Sequence, residues 1–191
     1  MSRLPALLSA TAALLLTLGC STPPAGDRPI ALSTDRGQDG AAAVLGAASL
    51  TPTQGKEVRG LVLFREMDAT HVMVHARVMG LKPNAEHGFH LHENGNCASP
   101  DGTSAGGHFN PAKNAHGPQD AEHHAGDMPS LKADGHGVAD QKFILTGVSL
   151  SPGPHSLDTR SVIVHADPDD FKTQPTGNSG ARVACGVVAI Q

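Results

Sequence analysis

Tryptophan and tyrosine are absent from the 191 residues and phenylalanine occurs only 5 times, so filling a core falls mainly to Val, Leu, Ile and Ala. Positive charge is also scarce. The formal net charge is −4 and no run of Lys or Arg offers a local basic field, which excludes nucleic acid as a partner. No apolar run reaches the roughly 20 residues that a membrane-spanning helix needs. What the sequence does hold is turn residues, with Gly 22 and Pro 14, as a sheet protein with long ordered loops requires. It also holds His 12, and neutral imidazole is the commonest metal ligand.

Residues 1–19 have the form of an export signal: Arg3 supplies a positive start, and Ala6 to Leu8 and Ala12 to Leu18 supply the apolar stretch. Gly19-Cys20 then closes it as in a bacterial lipoprotein signal, which would make Cys20 a lipidated N-terminus and the one point of membrane contact. The position three before the cysteine usually holds an aliphatic residue and here holds Thr17, so soluble export after ordinary cleavage stays open. Residues 20–46 are rich in Pro, Gly, Ala, Asp and Thr without periodicity, the composition of a flexible tether.

A single domain is expected over 47–191. Val58 to Arg65 and His71 to Val78 alternate with a period of two and predict antiparallel strands joined around Asp68. Gly88 to His92, Gly137 to Thr146, Arg160 to Ala166 and Ala181 to Ile190 predict further strands, and together they give an all-β, Greek-key sandwich or barrel of immunoglobulin-like type. Glu93 to about Met128 and Ala166 to Gly180 do not alternate. Both exceed an ordinary turn, and long loops in compact domains are usually functional or disordered.

Residues two apart in a strand share a face, so His90 and His92 project together. His108, His116, His124 and Asp127 follow in the first long loop at steps of eight, eight and three. Three imidazoles and a carboxylate make a closed tetrahedral zinc set, and a loop without an apolar face gains order from little else than a metal or a disulfide. His165 ends a strand where it could face the same side as His90 and His92. Such a nitrogen-rich set with an accessible position suits copper.

Gly88-Phe89-His90-Leu91-His92, Gly107-His108-Phe109-Asn110-Pro111, His116-Gly117-Pro118, His124-Ala125-Gly126-Asp127, Val164-His165 and Gly177-Asn178-Ser179-Gly180-Ala181-Arg182-Val183-Ala184-Cys185-Gly186 occur in the order found in copper/zinc superoxide dismutases. The chain resembles that family over nearly all of 47–191. The resemblance implies copper and zinc as cofactors and superoxide as substrate. It implies His90, His92, His108 and His165 on copper, and His108, His116, His124 and Asp127 on zinc, with His108 shared. His123 competes with His124 for its place, and the three-residue step to Asp127 favours His124. Asp169 matches a carboxylate that hydrogen-bonds His90 and His116, Cys97 and Cys185 match an intrachain disulfide, and Arg182 matches the residue that holds superoxide. His87 matches a structural position, whereas His71, His75, His136 and His155 are most simply surface residues.

The implied reaction is a two-step cycle in which copper oxidises one superoxide and reduces another, while His108 handles the proton and zinc does no redox work. The family often carries a guiding Lys just before the Thr-Gly that is Thr176-Gly177, but this chain has Pro175 there, with Lys172 as a substitute. The competing readings are a metal buffer without turnover and a structural lipoprotein domain with vestigial sites. Arg182 and the complete ligand set weigh against both. Export to the periplasm is expected, with or without a lipid anchor. The oligomeric state, including a homodimer, stays open.

Overall fold

The computed structural model describes residues 45–191. The signal over 1–19, Cys20 and the tether up to residue 44 lie outside them. The strands are β1 (Leu45–Pro52), β2 (Arg59–Asp68), β3 (His71–Met79), β4 (Glu86–His87), β5 (Phe89–His92), β6 (Leu131–Lys132), β7 (Val138–Thr146), β8 (Ser161–His165), β9 (Arg182–Val187) and β10 (Ala189–Ile190). One turn of 3₁₀ helix, Thr103–Ala105, is the only helical element among the described residues.

Eight of these strands form one curled antiparallel sheet in the order β5-β8-β9-β1-β2-β3-β7, with β10 also on β1. β1 makes the curl: Leu45 to Leu50 pair with β2, while Thr51 and Pro52 pair with Ala184 and Cys185 of β9. The chain leaves β3 for the far edge at β5 and returns to lie beside β3 as β7, a Greek-key crossing. The fold is therefore the all-β one that the alternation predicts.

Alternation also decides which faces meet. In β3, Val72, Val74, Ala76 and Val78 are fully buried, whereas the residues between them are half-buried or exposed. Val62 and Phe64 of β2 lie opposite Ala76 and Val74, and Phe89, Leu91, Val162 and Val164 close the same core. With so few aromatics, each counts. Truncating fully buried Phe64 to Ala should cost about 3–5 kcal/mol.

Two boundaries differ from expectation. β1 begins at Leu45, so Leu45 and Gly46 belong to a strand rather than to the tether, and no alternation over 45–52 predicts that strand. Its Gly, Ala and Ser residues carry little strand signal, and the pairing with β2, β9 and β10 overrides that. The last expected strand divides at Val188, whose backbone N–H leaves the ladder to donate to Arg160 O (2.8 Å).

The two long segments lie outside the sheet, although Phe109 and Met128 of the first are buried in the main core. A disulfide between Cys97 and Cys185 ties the first of them to β9. In the chain-entropy account, closing the 88-residue separation is worth roughly 4–5 kcal/mol. Ala105 and Ile163 pack with this pair in a small second cluster.

Candidate metal centre

β5 and β8 pair so that His90 lies opposite Ile163 and His92 opposite Ser161. The intervening Leu91 and Val162 point into the core, so His90, His92 and Ile163 face outward, beneath the loops. A register shift between Val164 and His165 ends the β8–β9 ladder and pairs His165 with Arg182. β5 is an edge strand, and its open edge is covered by the first loop rather than by water. Leu91 N–H donates to Gly126 O (2.9 Å), Phe109 N–H donates to Leu91 O (2.8 Å) and Gly126 N–H donates to Phe109 O (2.9 Å). This edge pairing sets His108 beside His92 and Asp127 beside His90.

Two groups of side chains result, each with its donor atoms within 4.8 Å of one another: His90, His92, His108 and His165, and His108, His116, His124 and Asp127. All seven residues are buried. The ring of His108 lies 4.0 Å from that of His90, 5.1 Å from His92 and 6.4 Å from His165, centroid to centroid. On the other side it lies 5.3 Å from His116 and 5.4 Å from His124.

Hydrogen bonds fix which nitrogen each ring offers. An oxygen acceptor on one nitrogen draws the proton there and leaves the lone pair on the other. His90 Nε2 donates to Asp169 Oδ2 (2.6 Å), His92 Nδ1 to Gly106 O (2.9 Å) and His165 Nδ1 to Gly180 O (3.2 Å). The atoms left over, His90 Nδ1, His92 Nε2 and His165 Nε2, are buried without a hydrogen-bond partner, as is His108 Nε2. Four buried orphan nitrogens in one cluster fit a cation that accepts lone pairs, and an all-nitrogen set suits copper.

The second group divides its atoms equally clearly. Asp127 Oδ2 accepts backbone N–H groups of His124 (2.9 Å) and Gly117 (3.2 Å), while Oδ1 faces His108 Nδ1 (2.8 Å) and His124 Nδ1 (3.2 Å). His116 Nε2 donates to Asp169 Oδ1 (2.9 Å). Its Nδ1 lies 3.0 Å from Asp127 Oδ2, but not at a hydrogen-bonding angle. Three nitrogens and one oxygen fit a tetrahedral zinc site. Asp169, with no exposed side-chain surface, thus holds one ring of each group.

Burial pushes the conjugate acid of His108 down to about 4 against the pull of Asp127, and that of His165 down to about 3. It pushes His92 well below the ordinary range as well. These rings are neutral at pH 7 and present lone pairs. Burial also opposes a charge on His116, but Asp127 and Asp169 outweigh it and raise that ring to about 9. Although burial favours their neutral forms, Asp127 and Asp169 are held well below the usual carboxylate range by the histidines they bond.

Arg182 donates from Nη1 to Gly102 O (2.7 Å) and from Nη2 to Gly106 O (2.6 Å), the second carbonyl being the one that orients His92. It is thereby fixed beside the first group. His123 turns its Nδ1 to Ala121 O (2.7 Å), away from the second group, and His87 donates to His165 O (2.9 Å). His71 and His75 face Asp68 and Asp140 at the surface, His155 bonds Gly147 O, and His136 is exposed. Lys172 is exposed on the second loop.

Three further residues shape the site without having been assigned a role from the sequence. Gln174 clamps His116 by its backbone, accepting from its N–H (2.8 Å) and donating to its carbonyl (2.9 Å). Gly177, at φ 65°, passes so close to Asp169 that a Cβ there would overlap the carboxylate. Arg160 lies 4.5 Å over the Phe109 ring and donates to Glu93 O (2.5 Å), bracing the residue next to His108. None has a spacing signature; each acts through contacts that the tertiary fold creates.

A profile of the copper/zinc superoxide dismutase (SODC) family matches residues 58–188. The chain is 38% identical over 144 residues to superoxide dismutase-like protein YojM of Bacillus subtilis, covering 73% of each. It is 43% identical over 122 residues to superoxide dismutase (Cu-Zn) 1 of Aquifex aeolicus, covering 61% of this chain and 72% of that protein. It is 42% identical over 141 residues to superoxide dismutase (Cu-Zn) of Saccharomyces cerevisiae, covering 70% and 90%. Among solved structures, a SOD-like protein from Bacillus subtilis aligns with a TM-score of 0.66 at 37% identity, over 73% of this chain and 95% of that one.

Proposed function

The chain belongs to the copper/zinc superoxide dismutase family and is an oxidoreductase with copper and zinc as cofactors, and we propose that its dismutation of superoxide runs at two ions joined through His108. His90 Nδ1 and the Nε2 atoms of His92, His108 and His165 would hold copper. The Nδ1 atoms of His108, His116 and His124, with Asp127 Oδ1, would hold zinc. The observation that carries this reading is the membership of one ring, His108, in both donor groups, with Nδ1 toward Asp127 and Nε2 buried without a partner.

Copper when bound supplies the electron exchange between its two oxidation states, and zinc supplies fixed positive charge. The chain supplies the rest. Arg182 is half-buried, its guanidinium held by two carbonyls, and offers its remaining donors to a small anion beside the copper ligands. When not holding copper, His108 Nε2 is the atom that would carry a proton to the peroxide formed from the second superoxide. Asp169 keeps the rings of His90 and His116 in the tautomers that the ions require.

The Cys97–Cys185 disulfide supports an exported protein, since oxidising compartments preserve such bonds. We place the domain in the periplasm, carried there by the 1–19 signal and tethered through the residues from 20 to 44, with Cys20 as its lipid attachment. Protection of that space from superoxide is the role this implies.

The test is cyanide-sensitive dismutation measured with metal content in the wild type and in His108→Ala. The wild type should bind one copper and one zinc and turn over, and the variant should lose at least about 100-fold in rate, the scale of a lost proton-transfer group. Copper and zinc bound to the wild type without turnover would assign a metal-holding role instead.

A further inference from the structure

A cavity of about 390 Å³ opens beside Arg182, and its walls come from three segments: the β1–β2 turn, the stretch after the disulfide cysteine Cys97, and Gly180 to Arg182. The turn is a fixed wall. Thr53 donates from Oγ1 to Arg182 O (2.8 Å) and from N to Val183 O (3.2 Å), and Gln54 N–H donates to Pro100 O (2.7 Å). Lys56 stands on this wall, exposed at the side chain, with its own N–H bonded back to Thr53 O (3.0 Å). Lys56 and Arg182 are the two cations lining the cavity among the described residues, and Asp101 is the one anion. Asp101 is itself fixed, accepting from Thr103 N–H (3.0 Å) and Thr103 Oγ1 (2.7 Å). Lys172, expected from the sequence to stand in for the missing guiding lysine, does not reach this cavity.

Lys56 and Arg182 line this one cavity, and exposed charges act on one another within the Debye length of roughly 10 Å at 0.1 M salt. The charge of Lys56 therefore acts across the cavity on an anion at Arg182, nearly unscreened in dilute buffer and largely screened in concentrated salt. The chain as a whole carries −4 and repels such an anion, so a local cation has a disproportionate effect on encounter.

We propose that Lys56, on the β1–β2 turn, is the residue that draws the anionic substrate to Arg182, with Asp101 opposing it. The inference rests on the reading of Arg182 as the superoxide-holding residue. Lys56 is a positioning residue: it sets the local concentration and approach of the anion and touches no reacting atom.

The test measures the bimolecular dismutation rate of the copper- and zinc-loaded protein by fast kinetics, at ionic strengths of about 10 mM and about 300 mM. At low salt Lys56→Ala should fall about 2–4-fold and Lys56→Glu further, Asp101→Asn should rise about 2-fold, and Lys172→Ala should match wild type. At high salt the four should converge on wild type. Azide, a monoanion that ligates copper(II), gives a second readout by absorbance titration, and its affinity should weaken in Lys56→Ala at low salt. Rates and azide affinities of Lys56→Ala equal to wild type at low salt would overturn the proposal, and so would a Lys172→Ala loss as large as that of Lys56→Ala. If the loaded wild type binds azide but does not dismutate superoxide, the dismutase reading fails, while the azide titration still decides the role of Lys56.

Discussion

Gly177 shows how a residue without reactive atoms can govern both ion sites. Its backbone takes φ 65°, and the space where a Cβ would project is filled by the carboxylate of Asp169. Alanine there is strained twice, once by the left-handed backbone and once by overlap with the group that holds His90 and His116. Gly177→Ala should therefore weaken retention of both metals by about 10–100-fold, the scale for lost support of ligating histidines. Competition with a chelator measures this, and circular dichroism should show the sheet unchanged; metal retention equal to wild type would refute it. Residues of this kind explain what the sequence could and could not convey. His90 and His92 announce themselves by a period of two, and the loop ligands by their spacing and chemistry. Gly177, Gln174 and Arg160 act through neighbours that are distant in the chain, so nothing local marks them.

At the scale of elements, the strands were legible because alternation reports a buried face, and the two long loops were legible as its failure. What folds those loops was not. The first is ordered by pairing with the free edge of β5, which no local pattern specifies. A similar long-range tie holds the segment between β7 and β8. Glu66, half-buried near the end of β2, accepts hydrogen bonds from Ser149 Oγ (2.5 Å), Ser151 Oγ (3.1 Å) and the backbone N–H of Leu150 (3.1 Å). Burial favours the neutral acid, but these donors outweigh it and hold Glu66 below its ordinary range. Its folded pKa is thus lower than its unfolded one, so the stabilisation is fully present above the unfolded value near 4.3 and is lost as pH falls through the folded value. Glu66→Gln should lower stability at pH 7 by roughly 1–2 kcal/mol, toward the low end because the carboxylate is partly exposed. In urea titrations the gap from wild type should narrow as pH falls below about 4. A gap that stays constant or widens there would contradict the assignment.

For the whole molecule, the barrel core and the ion sites occupy opposite faces of β5 and β8. Leu91 and Val162 belong to the hydrophobic interior, while His90 and His92 face outward under loops fastened by the Cys97–Cys185 disulfide. The rigid sheet fixes His90, His92 and His165 and the first loop brings the remaining donors, so His108 is the residue through which the two parts meet. If one imidazole links both ions, two unpaired spins placed there must sense each other through it. Wild-type protein loaded with copper(II), and with cobalt(II) in the zinc site, should give a copper electron paramagnetic resonance signal strongly diminished relative to the copper–zinc form, and His108→Ala should restore an isolated-copper signal. A full, uncoupled copper signal in the wild type with both ions bound would contradict a shared His108.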